Sequence, residues 1–211
     1  MKHIRRISLT LILSVLVFMA CLWSVKKTKR DAERFFNKAT MLRVDRSTVG
    51  DVLALVKSSG GTTYGFESCI TGQGGCIGTI YFENRLLRYM HMAPRTAFSA
   101  RFGIEQSKLT NIWFMMYSTS GNDEWEAFVD EGDHPWDGKS FTFRRQMFSG
   151  PLNFGILMSP DTPTDIRKLA YNFNFSCLTR IGGCRTQEEM LPILNRKDLV
   201  GPHPEVLNPN G

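Results

Sequence analysis

A run of 19 residues without a charge or a proline, Ile7 to Val25, constrains this chain more than any other feature. As a helix the run would be about 28 Å long, close to the ~30 Å thickness of the hydrocarbon core of a bilayer. Trp23 lies near one end, where an indole suits the interface, and basic residues flank both ends. A helix buried in a soluble protein is rarely apolar on every face. The run therefore predicts a single-pass transmembrane anchor within residues 1–30.

Two processed forms of this segment are alternatives to an uncleaved anchor. A cleaved signal peptide requires small residues in an A-x-A-like arrangement after the apolar core, and none is well placed here. Ala20-Cys21 resembles the end of a bacterial lipoprotein cleavage box, but the bulky Phe18 and Met19 occupy its aliphatic and small positions. We expect the segment to remain as an anchor.

The positive charge of the chain is concentrated around the same segment. Of the 26 Lys and Arg residues, seven lie in residues 1–30, which contain no acidic residue. The rest of the chain keeps 19 basic against 20 acidic side chains, a net charge of −1. A nucleic-acid-binding domain would carry its basic residues on the folded part. The sequence therefore indicates membrane lipid as a partner, through residues 7–25, and no nucleic acid.

Four of the five cysteines lie in two similar segments, S-C-I-T-G-Q-G-G-C and S-C-L-T-R-I-G-G-C. The Gly-Gly before each second cysteine allows the backbone to turn back, so that the two sulfurs can approach each other. We predict local disulfides Cys69–Cys76 and Cys177–Cys184, each closing an eight-residue loop that stabilises by about 2.5 kcal/mol in the loop-entropy model. Crossed disulfides, a four-cysteine zinc site and four free thiols are the alternatives. Structural zinc sites usually separate paired cysteines by two to four residues rather than six.

The predicted disulfides decide the expected compartment. Disulfides persist only in an oxidising environment, which places residues 31–211 outside the cytoplasm, on the periplasmic side of the cell membrane. The positive-inside rule gives almost a tie, with a slight lean toward a cytoplasmic domain that opposes the cysteines, because three basic side chains and the amino group precede the apolar run and four basic side chains follow it.

The remainder of the chain has the pattern of an α+β domain. One helix is predicted over residues 31–42 and a second after the cap Thr48-x-x-Asp51. A third begins at Thr162, and its apolar residues at helical spacing are Ile166, Leu169, Ala170, Phe173 and Cys177. A further helical turn is predicted at Thr186. Short β-like runs lie between these helices: Thr62–Glu67, Ile77–Phe82, Arg85–Met90, Ala97–Ile104, Leu109–Ser118, Glu124–Glu131, Lys139–Gln146 and Asn153–Met158. We predict a single domain over residues 31–200, an antiparallel sheet with helices packed on one face, and a mobile tail over residues 201–211.

No constellation of catalytic or metal-binding residues is recognisable. His91 and His134 have no second histidine at ligand spacing, and neither a phosphate-binding loop nor a nucleophile elbow is present. The acidic residues between Asp123 and Asp137 alternate with aromatic residues, which favours a solvated strand and a turn over a calcium site. The apolar run 112–117 is expected to be a core strand with both faces covered. We predict no cofactor and no metal.

Several elements resemble a family of uncharacterised bacterial envelope proteins. They are the basic–apolar–basic start, the element V-D-R-S-T-V-G-D-V-L-A-L and the ending A-Y-N-F-N-F-S-C-L-T-R-I-G-G-C. The resemblance covers most of the chain and implies no activity. The Val44–Leu55 element is also similar to the helix opening of small outer-membrane-assembly lipoproteins of the SmpA/OmlA type.

The expected function is a membrane-anchored extracytoplasmic binding or envelope-assembly module without catalysis, with a further envelope protein as a candidate partner. One alternative is an extracytoplasmic hydrolase that uses carboxylates of the acidic strand. The other is a cytoplasm-facing thiol or zinc protein.

Overall fold

The structure is a computed structural model that describes residues 2–71, 75–120, 123–132, 141–147, 152–196 and 206–207. Side chains are described over residues 12–70, 75–119, 124–132 and 154–196. Residues 133–140, which include His134, Asp133 and Asp137, lie outside the described part, as does most of the predicted tail.

The chain begins with one long helix, α1, over Lys2–Ala39. Its last two turns supply Ala32, Phe35, Phe36 and Ala39 to the core, each at most 5% exposed. Its residues 12–20 are exposed. From residue 12 onward, where side chains are described, no helix is long and apolar enough to cross a membrane. Residues 7–11 of the predicted span lie outside that part, and the anchor stays a prediction.

The strands form one sheet, and the described residues contain eight of them, in the order β1-β2-β3-β4-β5-β7-β6-β8. Their bounds are β1 Thr62–Tyr64, β2 Cys76–Glu83, β3 Arg95–Glu105, β4 Lys108–Ser120, β5 Asp123–Gly132, β6 Phe141–Met147, β7 Leu152–Met158 and β8 Val206–Leu207. We call the edge at which β2 ends and β3 begins the upper end, and the edge of the β3–β4 turn the lower end.

The α+β class is confirmed, but the sheet is mixed rather than antiparallel. The pairs β5–β7 and β6–β8 are parallel, and the other pairs are antiparallel. After β5 the chain skips one position in the sheet to form β6, and the hairpin then returns β7 into the gap. That return makes β7 parallel to β5. Local alternation predicts each strand but carries no information about this skipped position.

One face of the sheet, the inner face, carries the core. Alternate residues of β2 to β5 and β7, among them Ile80, Phe98, Phe114, Val129 and Ile156, are fully buried there. Phe36 lies at the centre, with its ring 5.0 Å from that of Phe114 and 5.6 Å from that of Phe98. Most buried apolar residues of the helices join the same cluster, so helices pack on one face as predicted.

The remaining helices are short: α2 Val49–Lys57, α3 Phe66–Thr71, α4 Arg85–Tyr89, α5 Thr164–Ala170 and α6 Gln187–Met190, with 3-10 turns at Phe175–Leu178 and Pro192–Asn195. The predicted capping box at the start of α2 is confirmed, because Thr48 accepts a hydrogen bond from the Asp51 N–H while Asp51 accepts one from Thr48. Thr186 likewise caps α6.

Three local predictions were wrong. Arg85–Met90 is helix α4 and one further residue rather than a strand; its Leu87 is buried and α4 packs against α1. Thr62–Glu67 contains a strand of only three residues, since Gly65 adopts a positive φ of 76° and α3 begins at the next residue. The helix predicted from Thr162 to Cys177 ends at Ala170, and Cys177 lies in a separate 3-10 turn.

The predicted local pairing of the cysteines is confirmed. The sulfurs of Cys69 and Cys76 are 2.14 Å apart, and those of Cys177 and Cys184 are 2.02 Å apart. Gly182 and Gly183 turn the second loop back with φ of 81° and 63°, values that favour glycine. The first pair ties α3 to the start of β2, while the second closes a loop at the upper end, where Gly182 donates a hydrogen bond to the carbonyl of Met92.

Candidate functional site

The face of the sheet opposite the core, the outer face, carries the candidate site. The period-two alternation of β2 to β5 sends one set of side chains to the core and the other set to this face. The helices over the described ranges bury their apolar residues in the inner cluster, and none of them covers the outer face. Over the described residues, the outer face is therefore open to a ligand.

A groove of about 440 Å³ lies on this face, a volume typical of small-ligand sites. Its lining comes from strands β1 to β5 and the start of α4: Tyr64, Tyr81, Glu83, Arg85, Arg95, Arg101, Met115, Tyr117, Ser118, Thr119, Glu124 and Glu126. Aromatic rings and charged groups thus line the same cleft.

The shape of the groove follows from the residue sizes along β3. The outward residues of this strand are Arg95, Ala97, Ser99 and Arg101, so two small side chains lie between two long ones. Ala97 and Ser99 are fully buried, and in register with Ser99 lie Tyr81 on β2 and Met115 on β4. The small side chains of Ala97 and Ser99 therefore leave the floor of the groove low, and the larger side chains of β2 and β4 form its walls.

Both arginines of β3 pack on aromatic rings. The guanidinium of Arg95 lies 5.4 Å from the ring centre of Tyr117, and that of Arg101 lies 5.2 Å from the ring centre of Trp113. Such cation–π contacts leave the N–H donors at the rim of the guanidinium available. Arg101 has no ion pair with any described residue.

The upper end of the groove has an excess of positive charge. Glu83 accepts ion pairs from three arginines, at 3.5 Å from Arg85, 3.0 Å from Arg88 and 3.1 Å from Arg95. One carboxylate cannot neutralise three guanidinium groups, and all three arginine side chains are substantially exposed. This arrangement attracts an anionic group.

The β5 wall of the groove is negative instead. Glu124 and Glu126 are two residues apart on one strand and therefore share a face. Burial, followed by the charge of Glu124, raises the pKa of Glu126, while Arg101 acts in the opposite direction. Burial also raises the pKa of Tyr117 on β4, which lies between the arginines of β3 and the glutamates of β5. The groove is thus bipolar, with arginines on one side of Tyr117 and carboxylates on the other.

Beside the groove, the outer face carries a small apolar cluster of Met115, Phe128 and Leu157, packed by Trp113 and Tyr117. The apolar run 112–117 therefore contributes only its alternate residues Ile112, Phe114 and Met116 to the main core. The run is a core strand as expected, but its outer face is covered only in part, because Met115 is buried in the small cluster while Trp113 and Tyr117 are partly exposed.

The expectation that the acidic strand has a solvated face holds for Glu124, Glu126 and Asp130, which lie on the outer face, but it was wrong for Glu131. Glu131 is 1% exposed on the inner side, 2.5 Å from Arg167 of α5, and accepts a hydrogen bond from the hydroxyl of Tyr171. Asp130 accepts a hydrogen bond of 3.0 Å from Asn111. Of the acidic residues of β5, Glu124 and Glu126 line the groove.

The four predicted disulfide cysteines do not contribute to the groove lining and hold loops elsewhere. Among the described residues, no group of three or more histidines, cysteines or acidic residues is arranged to hold a metal ion. The groove offers charged groups and aromatic faces, which can bind and orient a polar ligand.

Comparison with known proteins adds no relative. No protein-family model, no curated protein and no solved structure matches the chain. The resemblance to bacterial envelope proteins stays a prediction.

Sequence reasoning missed the groove because its lining comes from five strands. The one local signal is the pattern R-x-A-x-S-x-R along β3, in which small residues separate two arginines on one face.

Proposed function

We propose that this chain is a membrane-anchored extracytoplasmic binding module without catalysis, and that the groove on the outer face is its ligand site. The bipolar groove is the observation on which the proposal depends. The two disulfides favour an oxidising compartment, and the apolar run over residues 7–25 favours the anchor.

The charge arrangement indicates a zwitterionic ligand. Arg95 on β3 and Glu124 on β5 are both in register with Thr119 of β4 and are therefore separated by two strand spacings, about 10 Å. Three extended amino-acid residues span a similar length, about 10 Å. A short peptide with a free amino group and a free carboxylate can therefore place its carboxylate at the arginines and its ammonium group at the glutamates, with its backbone across Tyr117.

The test uses the full chain in detergent and trialanine as the probe, with binding measured by calorimetry. N-acetyl-trialanine amide, which has the same length and no charges, is the matched control ligand. We expect trialanine to bind and the blocked peptide to bind at least tenfold more weakly, since each lost charged hydrogen bond contributes about 1.5–3 kcal/mol. Substitution Glu126→Gln weakens binding of trialanine, whereas Glu105→Gln at the lower end does not.

The same samples test the alternative function, a hydrolase, because cleavage of trialanine can be measured in them. Cleavage of trialanine that is lost in Glu126→Gln would favour the hydrolase and refute the absence of catalysis. Equal affinity for the charged and the blocked peptide, or no binding of either, would refute the proposed ligand class.

A further inference from the structure

The upper end of the domain carries exposed apolar side chains that the core does not use. Tyr89 is 85% exposed and Ile181 is 68% exposed, and Met90 and Met92 are also exposed. The loop with Ile181 lies against the segment after α4, because Gly182 donates a hydrogen bond of 3.0 Å to the carbonyl of Met92. The four side chains therefore belong to one end of the molecule.

Arginines neighbour these apolar residues in the chain, since Arg88 precedes Tyr89 and Arg180 precedes Ile181. Arg85, Arg88 and Arg95 share the single carboxylate of Glu83. On the neighbouring loop, Arg180 pairs with Glu189 at 3.2 Å, and both side chains are exposed. Exposed tyrosine and aliphatic groups together with arginines have the composition that proteins use at the interface of a bilayer.

The long helix leaves the domain at this same end. The ring of Phe35 in α1 packs 5.3 Å from that of Phe82, one residue before the upper end of β2. After α1 the chain reaches the lower end, where Asp45 donates a hydrogen bond to the carbonyl of Leu109. The N-terminal part of α1, with the apolar run, therefore extends beyond the upper end.

The spacing along α1 brings the upper end close to a bilayer. From Val25, the last residue of the apolar run, to Ala32, the first buried residue of α1, is a rise of about 10 Å. A headgroup layer is about 5–8 Å thick, and arginine and tyrosine side chains can reach across the difference. The intervening residues include Lys26, Lys27, Lys29 and Arg30, which add further positive charge.

We infer that the upper end of the domain docks on the surface of a bilayer that contains anionic lipid. Tyr89, Met90, Met92 and Ile181 enter the headgroup layer, and Arg88 and Arg180 bind lipid phosphates. This inference rests on the proposed anchor, since the anchor holds the upper end against the bilayer. It goes beyond the groove, because none of these six side chains belongs to the groove lining.

The test is hydrogen exchange of the full chain in lipid nanodiscs of phosphatidylcholine, with and without phosphatidylglycerol. We expect residues 85–92 and 180–182 to exchange more slowly in discs that contain phosphatidylglycerol, and this protection to disappear at high salt. The β3–β4 turn at residues 105–108, which lies at the lower end, is the internal control and is expected to exchange equally in both discs.

Two variants separate the charged and apolar contributions. Arg88→Gln with Arg180→Gln shifts the docking equilibrium about fivefold for each arginine lost, and Tyr89→Ser with Ile181→Ser weakens the protection without changing its dependence on salt. Equal exchange of residues 85–92 in both discs would overturn the docking. Failure of the chain to incorporate into discs of phosphatidylcholine would refute the anchor and, with it, the docking that rests on the anchor, whereas incorporation with equal exchange would refute the docking alone.

Discussion

Single residues of this fold carry charge in two very different settings. Glu131 and Arg167 are buried together on the inner face, at 1% and 6% side-chain exposure, while Glu126 is half-buried in the groove. Removal of one partner from a buried ion pair leaves the other as an uncompensated buried charge. The two settings predict different responses to substitution.

Removal of Arg167 alone should destabilise the domain strongly. We expect Arg167→Met to lower the free energy of unfolding by about 3–5 kcal/mol, because Glu131 then remains as a buried charge without its counterion. Denaturation by urea measures this change. The double variant Glu131→Leu with Arg167→Met should recover most of the loss, and a double variant as unstable as the single one would contradict this account.

Removal of the Glu126 charge should have the opposite sign. Burial raises the pKa of this carboxyl in the folded state, so the folded protein binds a proton more readily than the unfolded chain and the charged form costs stability at neutral pH. We expect Glu126→Gln to melt at a higher temperature than the wild type at neutral pH. The difference should vanish as the pH falls below the ordinary range of a glutamate. A variant that is less stable at neutral pH would disprove the prediction.

At the scale of elements, the packing of β7 against β5 depends on one glycine. A Cβ at Gly155 would lie 2.3 Å from the ring of Phe128, which is 2% exposed and packs on Trp113. We expect Gly155→Ala to cost about 1–3 kcal/mol, since the ring has little space in which to move.

The matched control is Gly50→Ala in α2, where the nearest atom to a new Cβ is 3.5 Å away. This change should stabilise by about 0.5–1 kcal/mol, because alanine favours a helix more than glycine does. Urea titrations of both variants test the contrast. Similar destabilisation at the two sites would show that the Phe128 ring does not set the cost.

The elements differ in how far the sequence determines them. The longer strands β2 to β5 and β7 were predictable as runs of β-forming and apolar residues separated by turn residues. The segment Arg85–Met90 was not, since a run of five or six residues fits either period and only contact with α1 fixes it as a helix. The groove was beyond reach, because the register that places Glu83, Tyr117 and Glu126 in one row is a property of paired strands rather than of any one of them.

At the scale of the whole molecule, the two disulfides should contribute unequally although their loops have the same length. Cys177 and Cys184 are both fully buried, whereas Cys69 is 7% exposed and Cys76 is only partly buried. Loop closure contributes about 2.5 kcal/mol to each. Replacement of the second pair by alanine adds the cost of a cavity in the core.

We therefore expect Cys177→Ala with Cys184→Ala to lower the free energy of unfolding by more than Cys69→Ala with Cys76→Ala does. Guanidinium denaturation of both double variants measures the difference. A larger loss of stability for the Cys69→Ala with Cys76→Ala variant would contradict the assignment of Cys177 and Cys184 to the core.

The continuity of α1 has a mechanical consequence for the whole molecule. No glycine or proline interrupts Lys2–Ala39, and the same rod that extends beyond the domain ends among the phenylalanine rings at its centre. The sequence of α1 therefore offers no glycine or proline hinge between the domain and the N-terminal half of the helix. A rotation or tilt of the N-terminal half of α1 is therefore transmitted to the aromatic rings of the core. The whole sheet then moves together with the helix.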